Sequence, residues 1–205
     1  GIFEKNVYIR AFEPLFKGAD VDIDITFEEF YQRTNIEFYV YASEINNFEL
    51  ECFSFRTHPQ MKVIDACYAS CSLPLLFKPL VVNKKTYMDG GLFLNYPVKA
   101  CLEKMNAKAD QILGFRKIII NDYSDRDINE SSNMIDYIMV VIKSIVNHVN
   151  QDLHENDSEI ENELLFYMEH FDLTSLKYFL ESQENRMELI NIGINKAKEF
   201  LRNKS

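Results

Sequence analysis

Positive charge is the first thing this chain is short of. Its 205 residues hold 22 Lys and Arg against 32 Asp and Glu, a net charge of −10 at pH 7. Nucleic acid is excluded as a partner, because neutralising phosphates needs clustered Lys and Arg. The same charge repels an anionic membrane in bulk, while leaving a local apolar patch free to touch lipid. No apolar run approaches the ~18 residues that a membrane-spanning helix needs. No basic segment followed by an apolar one marks a signal peptide at the start. Cys-x-x-Cys and His-Glu-x-x-His are both missing, and His58, His148, His154 and His170 lack ligand spacing. No zinc site, no other metal and no cofactor is therefore expected. The four cysteines are Cys52, Cys67, Cys71 and Cys101, with Cys67 and Cys71 four apart on one helical face. They read as buried thiols in a reducing compartment, which places the chain in the cytoplasm, peripheral to membranes at most. Methionine is also late: residue 1 is Gly and the first Met is Met61, so a segment upstream of Gly1 is expected.

What is present supports a core. Apolar residues make up 47% and aromatics 13%, and the length suits one domain, 1–205, or most of one. Residues 3–17 predict a helix broken near Pro14. Thr26-Phe27-Glu28-Glu29 is a capping box that opens a short helix through about Arg33, with Asn35 as a turn residue. Glu37–Glu44 and Phe48–Phe55 predict two strands that pair back across Ile45-Asn46-Asn47. Gln60–Cys71 predicts a helix with Val63, Ala66, Cys67 and Ser70 on one face, stopped by Pro74. Leu80–Val82 and Thr86–Met88 predict a hairpin around Asn83-Lys84-Lys85. Pro97 opens a helix to about Met105, and Ile112–Ile120 is a core strand in which Gly114 marks a close contact. Residues 121–133 and 151–163 are polar, acidic loops. Met134–Val149 carries a wide apolar stripe, read as a largely buried helix, with lipid contact as the sharper alternative. Leu164–Met168 is a last strand, and a short helix spans Ser175–Leu180. Asn185–Leu201 closes the chain as a helix with Leu189, Ile192, Ala197, Phe200 and Leu201 inward.

Glycine is scarce, and the single Gly-Gly pair follows an Asp: Asp89-Gly90-Gly91. Adjacent glycines open backbone angles closed to other residues and let another group come close to the main chain. Two readings stand for this turn. One is an ordinary strand-to-loop turn, since Asp-Gly is a common hairpin signal. The other is a carboxylate held rigidly at the edge of a cleft. The neighbouring residues weigh on the choice. Ala69-Ser70-Cys71-Ser72-Leu73-Pro74-Leu75-Leu76-Phe77-Lys78-Pro79 precedes the turn, and Asn95-Tyr96-Pro97-Val98 follows it.

Taken together, these motifs resemble the second half of a patatin-like phospholipase (lipid acyl hydrolase) domain. In that family an Ala-Ser-x-Ser-x-Pro-x-x-Phe-x-Pro run precedes an Asp-Gly-Gly or Asp-Gly-Ala. The resemblance covers residues 26–120 well and the rest loosely, through Asp172, Arg186, Leu189-Ile190 and Gly193. It implies that Asp89 is the Asp of a Ser-Asp catalytic dyad, with Gly90, Gly91, Pro74 and Asn95 as motif-supporting residues. It implies a lipid ester substrate met at a membrane or micelle surface. It also implies a three-layer α/β fold, in which a mixed, mostly parallel central sheet has helices on both faces.

Half of the family's chemistry is missing from these 205 residues. Covalent ester hydrolysis needs a nucleophile, a base and an oxyanion hole. The family's nucleophile is the Ser of Gly-x-Ser-x-Gly, and its oxyanion donors lie in a glycine-rich loop. Gly1, Gly18, Gly90, Gly91, Gly114 and Gly193 never bracket a serine. Ser70 and Ser72 are the hydroxyls nearest Asp89 in sequence, but neither sits in an elbow, and packing at the helix end is the plainer role. A nucleophile-bearing segment upstream of Gly1 is therefore expected, and the chain by itself is expected to be inactive. Three readings remain: the C-terminal part of an acyl hydrolase, a non-catalytic lipid-binding or interaction module with the same fold, and an unrelated α/β core with a chance turn.

Overall fold

The computed structural model describes residues 1–105, 107–119, 160–168 and 181–204, together with residue 178 and scattered positions between 128 and 145. These fall into two compact units, one built chiefly from Gly1–Asn95 and one that begins at Tyr96.

In the first unit, helix α1 (Lys5–Gly18) runs unbroken through Pro14, against the expected break. A proline removes one N–H and so frees one carbonyl in the preceding turn, a loss this helix absorbs before it ends at Gly18. Helix α2 (Phe27–Thr34) starts at the expected capping box. The Thr26 hydroxyl accepts from the Glu29 N–H at 3.2 Å, and the Glu29 carboxylate accepts from the Thr26 N–H at 2.9 Å. Asn35 ends α2 in the left-handed conformation, φ 53°.

Strands β1 (Val40–Glu44) and β2 (Glu49–Phe53) form the expected antiparallel hairpin. Its turn is built around Glu44, whose buried carboxylate accepts from the Asn46 N–H at 2.6 Å and the Asn47 side-chain amide at 3.0 Å. Helix α3 (Val63–Ser70) is shorter than the Gln60–Cys71 expectation. The reason lies outside the helix: the Pro59 and Met61 carbonyls accept from Glu28 and Phe27 at the start of α2, both at 3.0 Å. Residues that cap a neighbouring helix are held out of their own. Strands β3 (Leu80–Val82) and β4 (Lys85–Asp89) make the second hairpin, with Asn83 and Lys84 both at positive φ, 51° and 66°. That pair of angles is the two-residue turn that matches strand twist.

The four strands form one antiparallel sheet in the order β2-β1-β4-β3. Two short hairpins set the outer pairs and the long-range β1–β4 pair is antiparallel as well, so the mostly parallel central sheet does not appear in this unit. Even-numbered β1 residues point to one face. There Val40 and Ala42 meet Phe53, Leu80 and Tyr87 under the buried side of α3, with Ala66 and Ala69 wholly excluded from solvent. The small α3 residues let the helix lie close against β1 and β4. Ahead of α1, Ile2 and Phe3 donate to the Leu75 and Leu76 carbonyls at 3.0 and 2.7 Å, pinning the chain start to the segment after α3.

In the second unit, helix α4 (Val98–Met105) follows Pro97 directly, as expected. Strands β5 (Leu113–Ile119) and β6 (Asn162–Met168) pair in parallel. Gly114 does mark a close contact: a Cβ there would lie 2.0 Å from the Tyr96 hydroxyl oxygen. Helix α5 (Gln183–Lys204) meets β6 but has no buried residue. Ile192, Ala197 and Leu201 are exposed and Leu189 and Phe200 half-buried, against the inward set expected. Met187, Ile190 and Ile194 share a face with Ala197 and Leu201, and all five are exposed. In the expected helix Met134–Val149, the described positions are helical, yet Met134, Tyr137, Val141 and Ile145 are exposed rather than buried. The acidic loops, the short helix Ser175–Leu180, and His148, His154, His170 and Asp172 lie wholly or mainly outside the described residues. Among the described residues no helix is long and apolar enough to cross a membrane.

The Thr26→Ala variant should lose about 1 kcal/mol of stability through the lost cap. Thermal unfolding followed by circular dichroism checks this, and an unchanged midpoint would show that the Pro59 and Met61 carbonyls suffice.

Candidate functional site

Asp89 is the last residue of β4 and the last rung of its ladder with β1, where it faces Ala42. The chain leaves the sheet there and turns through a single 3-10 turn, Gly90–Leu92. Three hydrogen bonds hold this residue. Its N–H donates to the Ser72 carbonyl at 3.1 Å. Its carbonyl accepts from the Ser43 hydroxyl at 2.7 Å. One carboxylate oxygen, Oδ1, accepts from the Gly91 N–H at 2.7 Å. The half-buried carboxylate is thus fixed at both ends of its backbone and at its head.

The glycines serve close approach rather than unusual angles, since neither has a positive φ. A Cβ on Gly90 would lie 2.5 Å from the Tyr41 carbonyl oxygen, across the sheet edge. A Cβ on Gly91 would lie 3.0 Å from Asp89 Oδ1 and 3.3 Å from Asn95 Oδ1. Gly90, Gly91 and Asn95 therefore gather around Asp89. Pro74 stands further off, two residues along the chain from the Ser72 carbonyl. Of the apolar residues that flank Asp89 in sequence, Tyr87 is buried and Met88, Leu92 and Phe93 are half-buried.

The hydroxyls nearest in sequence are already engaged or turned aside. Ser72 is wholly buried and donates to the Tyr68 carbonyl at 2.6 Å, one turn back in α3. Ser70 is half-buried at the end of the same helix.

Two residues that the sequence did not single out join the site. Cys71 is exposed, while only Cys52 is buried and Cys67 and Cys101 are half-buried, so the expectation of four buried thiols fails. The Tyr8 hydroxyl of α1 donates to Cys71 Sγ at 4.0 Å. Protein atoms packed around the sulfur raise the Cys71 thiol above its ordinary pKa, the Tyr8 hydroxyl lowers it, and the negative Asp89 carboxylate raises it further. One turn earlier, burial lifts Cys67 to about 11. Burial likewise raises the Tyr8 phenol. Ser43 is the other addition. It is a polar residue in an apolar strand, and its partner lies 46 positions away. Among the described residues no group of three or more His, Cys, Asp or Glu is arranged to hold a metal ion.

Comparison with known proteins comes to the same stretch. The family model for patatin-like phospholipase matches residues 1–102. The chain is also similar to the probable lipid hydrolase 463L of Invertebrate iridescent virus 6, at 26% identity over 108 residues. That similarity takes in 53% of this chain and 37% of the viral protein, so the match spans little more than a third of its relative's length.

Two outcomes follow from this geometry. Gly90→Ala should destabilise the fold by roughly 1–3 kcal/mol through its collision with the Tyr41 carbonyl, read from denaturant unfolding; a cost near zero would mean that the sheet edge yields. Asp89→Asn should move the alkylation midpoint of Cys71 to lower pH, because a negative neighbour that raises the thiol is gone. Tyr8→Phe should move it to higher pH, because a donor to the thiolate is lost. Both are read by site-resolved mass spectrometry across a pH series, and the opposite signs would refute the electrostatic account.

Proposed function

Because residues 1–102 belong to the patatin-like phospholipase family, we propose that the natural polypeptide is a lipid acyl ester hydrolase of phospholipase A type with Asp89 as its base. The observation that carries this reading is the triply held Asp89 beside Gly90 and Gly91. A catalytic group must be kept within about 0.5 Å of its productive position, and a carboxylate pinned at the end of a ladder meets that need. In the reaction, the carboxylate takes the proton of a serine hydroxyl as its oxygen attacks the ester carbonyl, giving an acyl-enzyme that water then resolves. A bare carboxylate is a weak base in water, and apolar surroundings strengthen such a base by disfavouring its charge; Tyr87, Met88, Leu92 and Phe93 are the side chains along the chain that would supply them.

The nucleophile and oxyanion donors come from a segment upstream of Gly1, since no serine of this chain is bracketed by glycines. Residues 1–205 are then the C-terminal portion of one patatin-like domain, both compact units included. Its three layers are completed when upstream helices cover the second face of the antiparallel sheet. The substrate is a lipid ester presented at a membrane or micelle surface, reached from the cytoplasm by a protein bound only peripherally. No cofactor enters the chemistry. A second reading is supported by the same missing elbow: a relative that kept the fold as a lipid-binding or interaction module and lost catalysis.

The natural gene product, treated with a fluorophosphonate probe and sequenced by mass spectrometry, separates the two. A label on a serine N-terminal to Gly1, abolished by Asp89→Asn, is expected. Residues 1–205 alone should give no turnover of phospholipid or triglyceride. An unlabelled product whose mass equals these 205 residues would leave the binding module instead.

A further inference from the structure

We propose that Ser43 is the positioning residue for Asp89: its hydroxyl, by holding the Asp89 carbonyl, sets where the carboxylate stands. This rests on the reading of Asp89 as a base. Ser43 lies on β1, wholly excluded from solvent. Its ladder partner on β4 is Met88 and not Asp89. The hydroxyl therefore reaches one residue past its own rung to the carbonyl of the residue where the strand ends, at 2.7 Å.

A hydroxyl in a fully buried strand position costs stability unless it is bonded. What the hydroxyl adds is a grip on the Asp89 peptide at the point where the backbone departs from the sheet, with φ −45° and ψ 127°. Of the three bonds to Asp89, those from the Gly91 N–H and to the Ser72 carbonyl are made by partner main chain. The Ser43 bond is made by a partner side chain, so it is open to substitution. Losing it leaves the Asp89 carbonyl unheld, so the backbone angles at Asp89 relax and the direction of its Cα–Cβ bond shifts with them.

Cys71 offers a readout that does not depend on turnover, because its thiol feels the Asp89 carboxylate. The experiment follows iodoacetamide alkylation of Cys71 against pH in the full natural polypeptide, resolved from Cys67 by fragment ions. It compares wild type, Ser43→Ala and Asp89→Asn, with thermal unfolding run in parallel. In Ser43→Ala the Cys71 profile should move from the wild-type curve toward that of Asp89→Asn. Each half unit of movement speeds alkylation below the midpoint roughly threefold. On a soluble ester, kcat should fall about tenfold or more with KM nearly unchanged, the mark of a misplaced catalytic group. A wild-type Cys71 profile in Ser43→Ala with a lowered unfolding midpoint would overturn the proposal and leave Ser43 a packing residue. If the alanine variant does not fold, Ser43→Cys keeps the shape with a weaker donor and is held to the same profile. A wild type without turnover would refute Asp89 as a base, while the alkylation profile still decides whether Ser43 places the carboxylate.

Discussion

The register between β1 and β4 governs the rest of the first unit. Ala42 facing Asp89 puts the last rung of the ladder at the start of the Gly90-Gly91 turn. The same register sends Val40 and Ala42 to the face that α3 covers, so burial of the core and placement of the carboxylate are one event. A slip of one residue would turn every β4 side chain to the opposite face. It would carry Asp89 away from the end of α3, where Cys71 and the Ser72 carbonyl meet it. The close passage of Gly90 over the Tyr41 carbonyl resists such a slip, because no residue with a side chain fits that place.

Local signals in the sequence were read well. The capping box at Thr26, the left-handed Asn35, both hairpins and the helix opened by Pro97 all depend on residues within a few positions of each other. The motif around Asp89 was equally legible, since its glycines and its preceding Ala-Ser-x-Ser-x-Pro run are contiguous. The failures have physical causes that act at a distance. Gln60 to Lys62 look helical until α2 claims the Pro59 and Met61 carbonyls. Cys71 has helical spacing from a covered residue, yet it falls at the end of α3, where the chain turns to solvent. Ser43 carries no local mark, because its one informative contact is made to a residue 46 positions on. Helix α5 misled in another way: its longest apolar stripe joins Met187, Ile190, Ile194, Ala197 and Leu201, and the expected inward set mixes two of these with residues of another face.

The chemistry around Asp89 is divided between what the carboxylate touches and what it faces. The Gly91 N–H holds it, and a backbone donor does not titrate. Beyond that bond it faces the Cys71 thiol, which packing and the carboxylate's own charge hold in its protonated form.

The parallel pairing of β5 with β6 has a consequence for how quickly the chain reaches its native state. Each hairpin of the first unit closes over a turn of a few residues, whereas Leu113 finds its partner only at Asn162. The entropy of closing a loop rises with its length, and contacts distant in sequence form late. The β1–β4 ladder, in which Ala42 must find Asp89, shares that burden, so the two hairpins are the early-folding parts and each unit waits on one long-range ladder.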